Sequence, residues 1–215
     1  MVEKDYVLGW LVARIDHHEA RGRSWIFKGG TCLKKVHFET YRFSEDLDFT
    51  LPDAAHLDDG FLGVAFGDIA RWIHDRCGIE SPVDQLHFNH QQNKRGRPTI
   101  EGRVHYRGPR GARGSLPRVK LDLTADEVVV LEAERLRVVH TYSGEPAEGI
   151  RIRCYPYAEI FAEKVRALGE RGRPRDLYDV INLYRHEEAR PMASQVRRIL
   201  AEKCDPARVR LATAA

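Results

Sequence analysis

The chain contains no run of about 18 apolar residues, so no membrane-spanning helix is expected. Its first residues alternate acidic and basic side chains, unlike the basic-then-apolar pattern of a secretory leader. A cytoplasmic location is expected, with no membrane partner. Cysteine is scarce: Cys32, Cys77, Cys154 and Cys204 are scattered. They lack the paired spacing of a zinc site and fit reduced cytosolic thiols. None of the 10 histidines shows ligand spacing. His87 and His90 stand three apart in a strand pattern and so fall on opposite faces. No internal repeat or low-complexity segment occurs. Net charge is only +3.

What is present fits a globular protein of 215 residues, with 42% hydrophobic and 31% charged side chains. That length predicts one compact domain overall, read as a core over 1–150 and a helical C-terminal lobe over 151–215. The strongest local signal is Asp46-Leu47-Asp48-Phe49-Thr50-Leu51. Strict alternation predicts a half-buried strand with Leu47, Phe49 and Leu51 inward. Asp46 and Asp48 then share the other face, about 6.6–7 Å apart. Carboxylates that close raise each other's pKa unless a cation lies between them. Mg²⁺ (or Mn²⁺) suits such a pair, because it takes carboxylate oxygens and usually binds together with substrate phosphates. Two such ions about 3.5–4 Å apart can clamp both oxygens of an in-line phosphoryl displacement.

Upstream, Phe27-Lys28-Gly29-Gly30-Thr31-Cys32-Leu33 reads as a glycine turn opening a helix. Gly29 and Gly30 allow close backbone approach to a ligand. Thr31 is the expected N-cap, with Leu33 and Val36 on the apolar side. Amides at the helix start can receive phosphate. Ser44 can add a hydroxyl donor. Each motif alone has an ordinary explanation, a turn or an exposed strand face. Their order within about twenty residues makes the arrangement specific.

The arrangement resembles the nucleotidyltransferase fold typified by DNA polymerase beta. More closely, it is similar to the AbiEii/AbiGii (MenT-like) nucleotidyltransferase toxins of bacterial toxin–antitoxin pairs. The similarity begins at Glu3-Lys4-Asp5-Tyr6-Val7 and runs through the Gly-Gly-Thr turn and the Arg42-to-Phe49 segment. It resumes at Glu159-to-Lys164 and at Arg175-Asp176-Leu177-Tyr178-Asp179. The middle of the chain matches mainly at Lys120-Leu121-Asp122. The wider superfamily often has Gly-Ser where this chain has Gly-Gly-Thr. The resemblance implies an α+β fold, a mixed sheet flanked by helices, with a helical C-terminal part.

Other elements follow from periodicity. Val7, Trp10, Leu11 and Ile15 mark a first helix. Leu62, Ala65, Phe66, Ile69 and Ile73 mark another. Strands are expected through Leu86 and Phe88, through Ile100, Val104 and Tyr106, and over Val119–Thr124. Two short strands are expected over Val128–Leu131 and Leu136–Thr141. Gly108 to Pro117 reads as a loop. Trp10, Trp25 and Trp72 are expected in the core. In Val119–Thr124, Lys120, Asp122 and Thr124 share one face. If this strand lies beside the first, Asp122 joins Asp46 and Asp48; otherwise it is a surface aspartate. The resemblance gives such a third carboxylate metal binding or uptake of the acceptor's proton.

In the helix from Tyr157 to Leu168, Lys164 falls within an apolar stripe. It must snorkel outward or meet an anion. The resemblance assigns Lys164 to phosphate. The next helix, about Arg175 to Arg185, has Leu177, Val180, Ile181 and Tyr184 as its expected core stripe. Asp176 either favours the helix dipole or, as the resemblance implies, has a site role such as orienting Lys164. Asp179 lies nearly opposite the stripe and is the weaker candidate.

Between Lys94 and Lys120 stand Lys94, Arg95, Arg97, Arg103, Arg107, Arg110, Arg113, Arg118 and Lys120, opposed in that stretch only by Glu101. Such a run is either a solvated hairpin and loop or a track for a nucleic-acid backbone. The resemblance implies a toxin that moves NMP from an NTP to the 3′ acceptor end of tRNA and blocks translation, with a cognate antitoxin as partner. In that reading Asp46, Asp48 and Asp122 hold metal. Gly29, Gly30, Thr31, Ser44 and Lys164 bind the nucleotide, and Asp122 or Asp176 assists the attacking hydroxyl. The alternatives are nucleotidylation or phosphorylation of a protein or small-molecule hydroxyl, and a catalytically inactive RNA-binding module.

Overall fold

Among the described residues seven strands form one mixed sheet, in the spatial order β3 (His87–Gln92), β4 (Pro98–His105), β5 (Arg118–Ala125), β2 (Asp46–Leu51), β1 (Ile26–Lys28), β7 (Arg151–Cys154) and β6 (Glu134–Arg137). The computed structural model describes residues 2–17, 24–38, 42–93, 96, 98–111, 114–125, 127–186 and 190–204. Of the basic run, Lys94, Arg95, Arg97 and Arg113 lie outside the described residues. The helices are α1 Val2–His17, α2 Gly29–Cys32, α3 Asp59–Cys77, α4 Tyr157–Arg171, α5 Pro174–Arg185 and α6 Ala193–Lys203. A π turn over Leu33–His37 continues α2. The chain divides into two units, one of Met1–Glu127 with Arg135–Cys154, the other of Val128–Glu134 with Tyr155–Ala215.

In the first unit, alternation sets which face each strand buries. Leu47, Phe49 and Leu51 of β2 and Val119, Leu121 and Leu123 of β5 are fully buried. Asp46 and Asp48 of β2 and Lys120, Asp122 and Thr124 of β5 are only half-buried, whereas Thr50 of β2 is buried. Phe49 stands 5.2 Å from Phe27 and 5.8 Å from Trp25, and Trp25 lies 6.3 Å from Phe66 of α3. These rings join β1, β2 and α3 through tilted aromatic contacts. All five apolar positions expected on α3 are buried, as are Trp10 and Trp25. Asp58 caps α3 by accepting from the Phe61 amide at 2.8 Å, the ordinary role of an N-cap carboxylate.

The structure corrects three sequence expectations. Val128–Leu131 forms no strand, because the Glu159 carboxylate takes the amides of Val130 and Leu131 at 3.1 and 2.9 Å. A side chain there supplies what a neighbouring strand would otherwise supply. Glu159 is fully buried and pairs with Lys203 Nζ at 2.6 Å; that ammonium also donates to the Val128 carbonyl at 2.8 Å. The strand expected over Leu136–Thr141 is likewise displaced to Glu134–Arg137.

The third correction is the orientation of α5, in the second unit. Leu177, Ile181 and Tyr184 are 48%, 40% and 56% exposed, whereas Asp176 and Asp179 are fully buried. The helix therefore turns its two aspartates inward and most of its apolar stripe outward. Ion pairs described below hold both carboxylates in place.

Candidate active site

Register places the polar face of the sheet residue by residue. β2 and β5 run parallel with Asp48 beside Asp122 and Asp46 beside Lys120. β4 runs antiparallel to β5, with Glu101 beside Asp122 and Arg103 beside Lys120. β1 adds Lys28 beside Asp48. One row across four strands thus reads Glu101, Asp122, Asp48, Lys28, and the next reads Arg103, Lys120, Asp46. Neighbouring strands are about 4.8 Å apart, so carboxylates in a row approach closely. The third aspartate is on the adjacent strand, in register with Asp48. Glu101, Lys120 and Lys28 belong to the same face. The alternation of each strand carried them, but single-strand patterns do not reveal which strands are neighbours.

Lys120 is the internal counter-ion of this face. Its amine stands 3.1 Å from the Asp122 carboxylate and 3.2 Å from Glu101, while Arg103 holds Glu101 at 3.0 Å. Burial pushes the Asp122 carboxyl above the usual range. Lys120 opposes the rise, and the charges of Asp46 and Glu101 add to it. For Lys120 itself, burial favours the neutral amine, but Asp122 and Glu101 outweigh it and raise its pKa. Such a face is electrostatically unsettled, and a divalent cation would relieve it. Asp46, Asp48 and Asp122 offer an all-carboxylate donor set on adjacent strands, which fits Mg²⁺ or Mn²⁺.

The glycine turn closes one edge of the face. Gly29 has φ +78, and a Cβ there would collide with the Asp48 carboxylate. A Cβ on Gly30 would come within 2.7 Å of Ser44 Oγ and 3.3 Å of an Arg42 guanidinium nitrogen. Only glycines let the turn lie this close to Asp48, Ser44 and Arg42. Arg42 is a further cation at the turn, which no local sequence pattern marks. Thr31 is not the N-cap: Lys28 holds that position, with no side-chain cap. The buried Thr31 hydroxyl donates to the Asp46 carbonyl at 2.5 Å and stands 3.0 Å from Ser44 Oγ. It therefore fastens the start of β2 to the glycine helix.

Lys164, Asp176 and Asp179 belong to the second unit. Lys164 Nζ lies 3.0 Å from Asp179 Oδ2, with side-chain exposures of 11% and 0%. Lys164 thus meets an anion within its own unit, and that anion is Asp179. Asp176 binds Arg171 through two bonds, Nε at 2.7 Å and Nη2 at 2.8 Å. Burial alone would raise the Asp176 carboxyl, but the Arg171 fork outweighs it and holds the pKa below the usual range. Both aspartates lie on the buried side of α5, opposite the exposed Leu177, Ile181 and Tyr184.

The basic run is partly neutralised. Arg107 pairs with Glu80 at 2.6 Å, from outside the stretch, and Arg103 and Lys120 pair with acids as above. Arg110 and Arg118 stand exposed. Among the described residues, no helix is long and apolar enough to cross a membrane.

Residues 10–215 match the family model described as nucleotidyl transferase AbiEii toxin, type IV TA system. No curated protein matches the chain. Among solved structures, JHP933 from Helicobacter pylori superposes with a TM-score of 0.56 at 19% identity, over 86% of this chain. The match spans 66% of that protein, just under two thirds of its length. A second H. pylori protein, provisionally described as a nucleotidyltransferase, has a TM-score of 0.56 at 20% identity, over 91% of this chain and 74% of its own. At these identities the likeness shows the fold, which is the α+β polymerase-beta-like arrangement expected from the sequence.

Proposed function

The chain belongs to the AbiEii family of nucleotidyl transferase toxins of type IV toxin–antitoxin systems, and from that premise we propose that it transfers a nucleoside monophosphate from an NTP to the 3′ acceptor end of tRNA, blocking translation. The observation that carries this reading is the register of Asp48 with Asp122, beside Asp46, on a face edged by Gly29 and Gly30.

Asp46, Asp48 and Asp122 would hold Mg²⁺ or Mn²⁺, which when bound neutralises phosphate charge and steadies the attacking and leaving oxygens. The amides of Gly29 and Gly30, with Ser44 and Arg42, suit the oxygens of a triphosphate. Thr31 acts by fixing the β2 carbonyl of Asp46. Family membership implies a phosphate role for Lys164, whose amine Asp179 holds within the second unit. The acceptor hydroxyl attacks the α-phosphorus, the bond to the β,γ-diphosphate breaks, and pyrophosphate leaves. The raised Asp122 carboxyl is the group on this face suited to take the hydroxyl's proton. Asp176, tied into the Arg171 fork, would hold the start of α5 and through it the Lys164–Asp179 pair. The reaction rests on positioning and charge stabilisation. A cognate antitoxin is the expected partner.

Label transfer tests the reading. The purified chain is incubated with Mg²⁺, total tRNA and each α-labelled NTP in turn. Label is expected on tRNA, falling at least about a hundredfold in Asp46→Ala. Label on protein or on an added small alcohol would instead identify a different acceptor. No label anywhere, with NTP binding indifferent to Mg²⁺, would make the chain an inactive module.

A further inference from the structure

Two cysteines and a histidine, distant in sequence, meet at the foot of the glycine turn. Cys32 ends α2, His37 ends the π turn and Cys154 ends β7. Their two sulfurs and an imidazole nitrogen all lie within 4.8 Å of one another. Cys32 and Cys154 are fully buried, and His37 is partly exposed. None of the three serves the carboxylate face described above.

The backbone explains the convergence. In an α-helix, residues five apart diverge by about 140° around the axis. The π turn closes i to i+5 instead, seen in the Phe38 amide donating to the Leu33 carbonyl at 2.9 Å, and so returns His37 over Cys32. The turn is pinned from outside by the Val139 amide on the Lys35 carbonyl at 2.7 Å. Cys154 arrives on β7, which runs parallel to β1 with Cys154 beside Phe27, two residues before Gly29. A buried cysteine by itself is a small apolar side chain. Two of them converging with an imidazole on a π turn form a ligand set.

We propose that Cys32, His37 and Cys154 bind one thiophilic divalent cation, zinc, with water in the fourth position. The donors are soft and contain no carboxylate, so they select zinc where the aspartate face selects Mg²⁺ or Mn²⁺. Tetrahedral zinc with Zn–S of about 2.3 Å places its sulfurs about 3.8 Å apart. Side-chain shifts of about 1 Å satisfy that geometry. Both thiols bind as thiolates and the imidazole binds neutral, so one Zn²⁺ enters and two protons leave. The ion ties α2 and the π turn to β7 and thereby braces the glycine turn from beneath.

Cobalt substitution tests this on the full chain, purified metal-free under reducing conditions. One Co²⁺ per chain is expected, with intense tetrahedral d–d bands and thiolate-to-cobalt charge-transfer absorption, displaced stoichiometrically by Zn²⁺ and not by excess Mg²⁺. Cys154→Ser should lose part of the charge-transfer intensity and bind at least about tenfold more weakly. His37→Gln, at a partly exposed position, decides the matter if the buried variant does not fold. It should keep the thiolate band and lose at least about tenfold in affinity. No charge-transfer band in the unaltered chain, or a band and affinity unchanged in His37→Gln, would overturn the proposal.

Discussion

Asp122 shows how one residue's surroundings set its chemistry. Its folded pKa is raised, chiefly by burial. A raised carboxyl contributes stability that is fully present below the ordinary carboxylate value and is lost as pH rises through the raised one. Above that point the ionised carboxylate weighs against the fold, and a divalent cation removes the burden. The stabilisation conferred by Mg²⁺ should therefore grow as pH rises from the acid range towards neutrality. In Asp122→Asn the midpoint of that growth should move down, because the carboxyl held above the usual range is gone. Thermal unfolding with and without Mg²⁺ across the pH series measures it; an unmoved midpoint in the variant would contradict the assignment. Asp176 has the opposite sign. The Arg171 fork holds its pKa down, so its contribution is present above the ordinary value and lost only as pH falls through the lowered one.

At the scale of the element, α5 behaves unlike an ordinary amphipathic helix. Its buried side is carried by Asp176, Asp179 and Leu183, while Leu177, Ile181 and Tyr184 face outward. Asp179→Ala leaves the Lys164 ammonium largely buried without its carboxylate, which should cost about 3–5 kcal/mol. Leu177→Ser and Ile181→Ser, each at an exposed position, should stay within about 0.5 kcal/mol. Denaturant unfolding of the three variants separates the two faces, and the reverse ranking would mean the apolar stripe is the packed one. The same helix shows where sequence reading stops. β2 and β5 were legible because alternation of Asp46 to Leu51 and Val119 to Thr124 matches a two-residue period and nothing competes with it. α5 was legible as a helix but not in its orientation, since the preference for inward apolar residues was overridden by two ion pairs formed with α4. Val128–Leu131 looked like a strand until Glu159, distant in sequence, took its amides.

Across the whole molecule, a net charge of +3 is too small to mark a polynucleotide binder by itself, so the distribution decides. Arg103, Arg107 and Lys120 are held by carboxylates, whereas Arg110 and Arg118 stand exposed. On the proposed tRNA acceptor, Arg118→Ala should lower the slope of log affinity against log salt by about 1. Arg107→Ala should change it less, because Glu80 already neutralises that guanidinium. Anisotropy titrations with labelled tRNA at several salt concentrations report both slopes, and identical slopes throughout would turn the search for an acceptor away from nucleic acid. The sequence by itself determined the two aspartates on one strand face, the glycine turn before them and the helices of the C-terminal part, because each depends on neighbours a few residues away. Tertiary structure alone decided that Asp122 lies beside Asp48, that Lys120 and Glu101 share their face, that Asp179 meets Lys164, and that Cys32, His37 and Cys154 converge. Each of those depends on strand order, on helix rotation or on a π turn, and sequence separation encodes none of them.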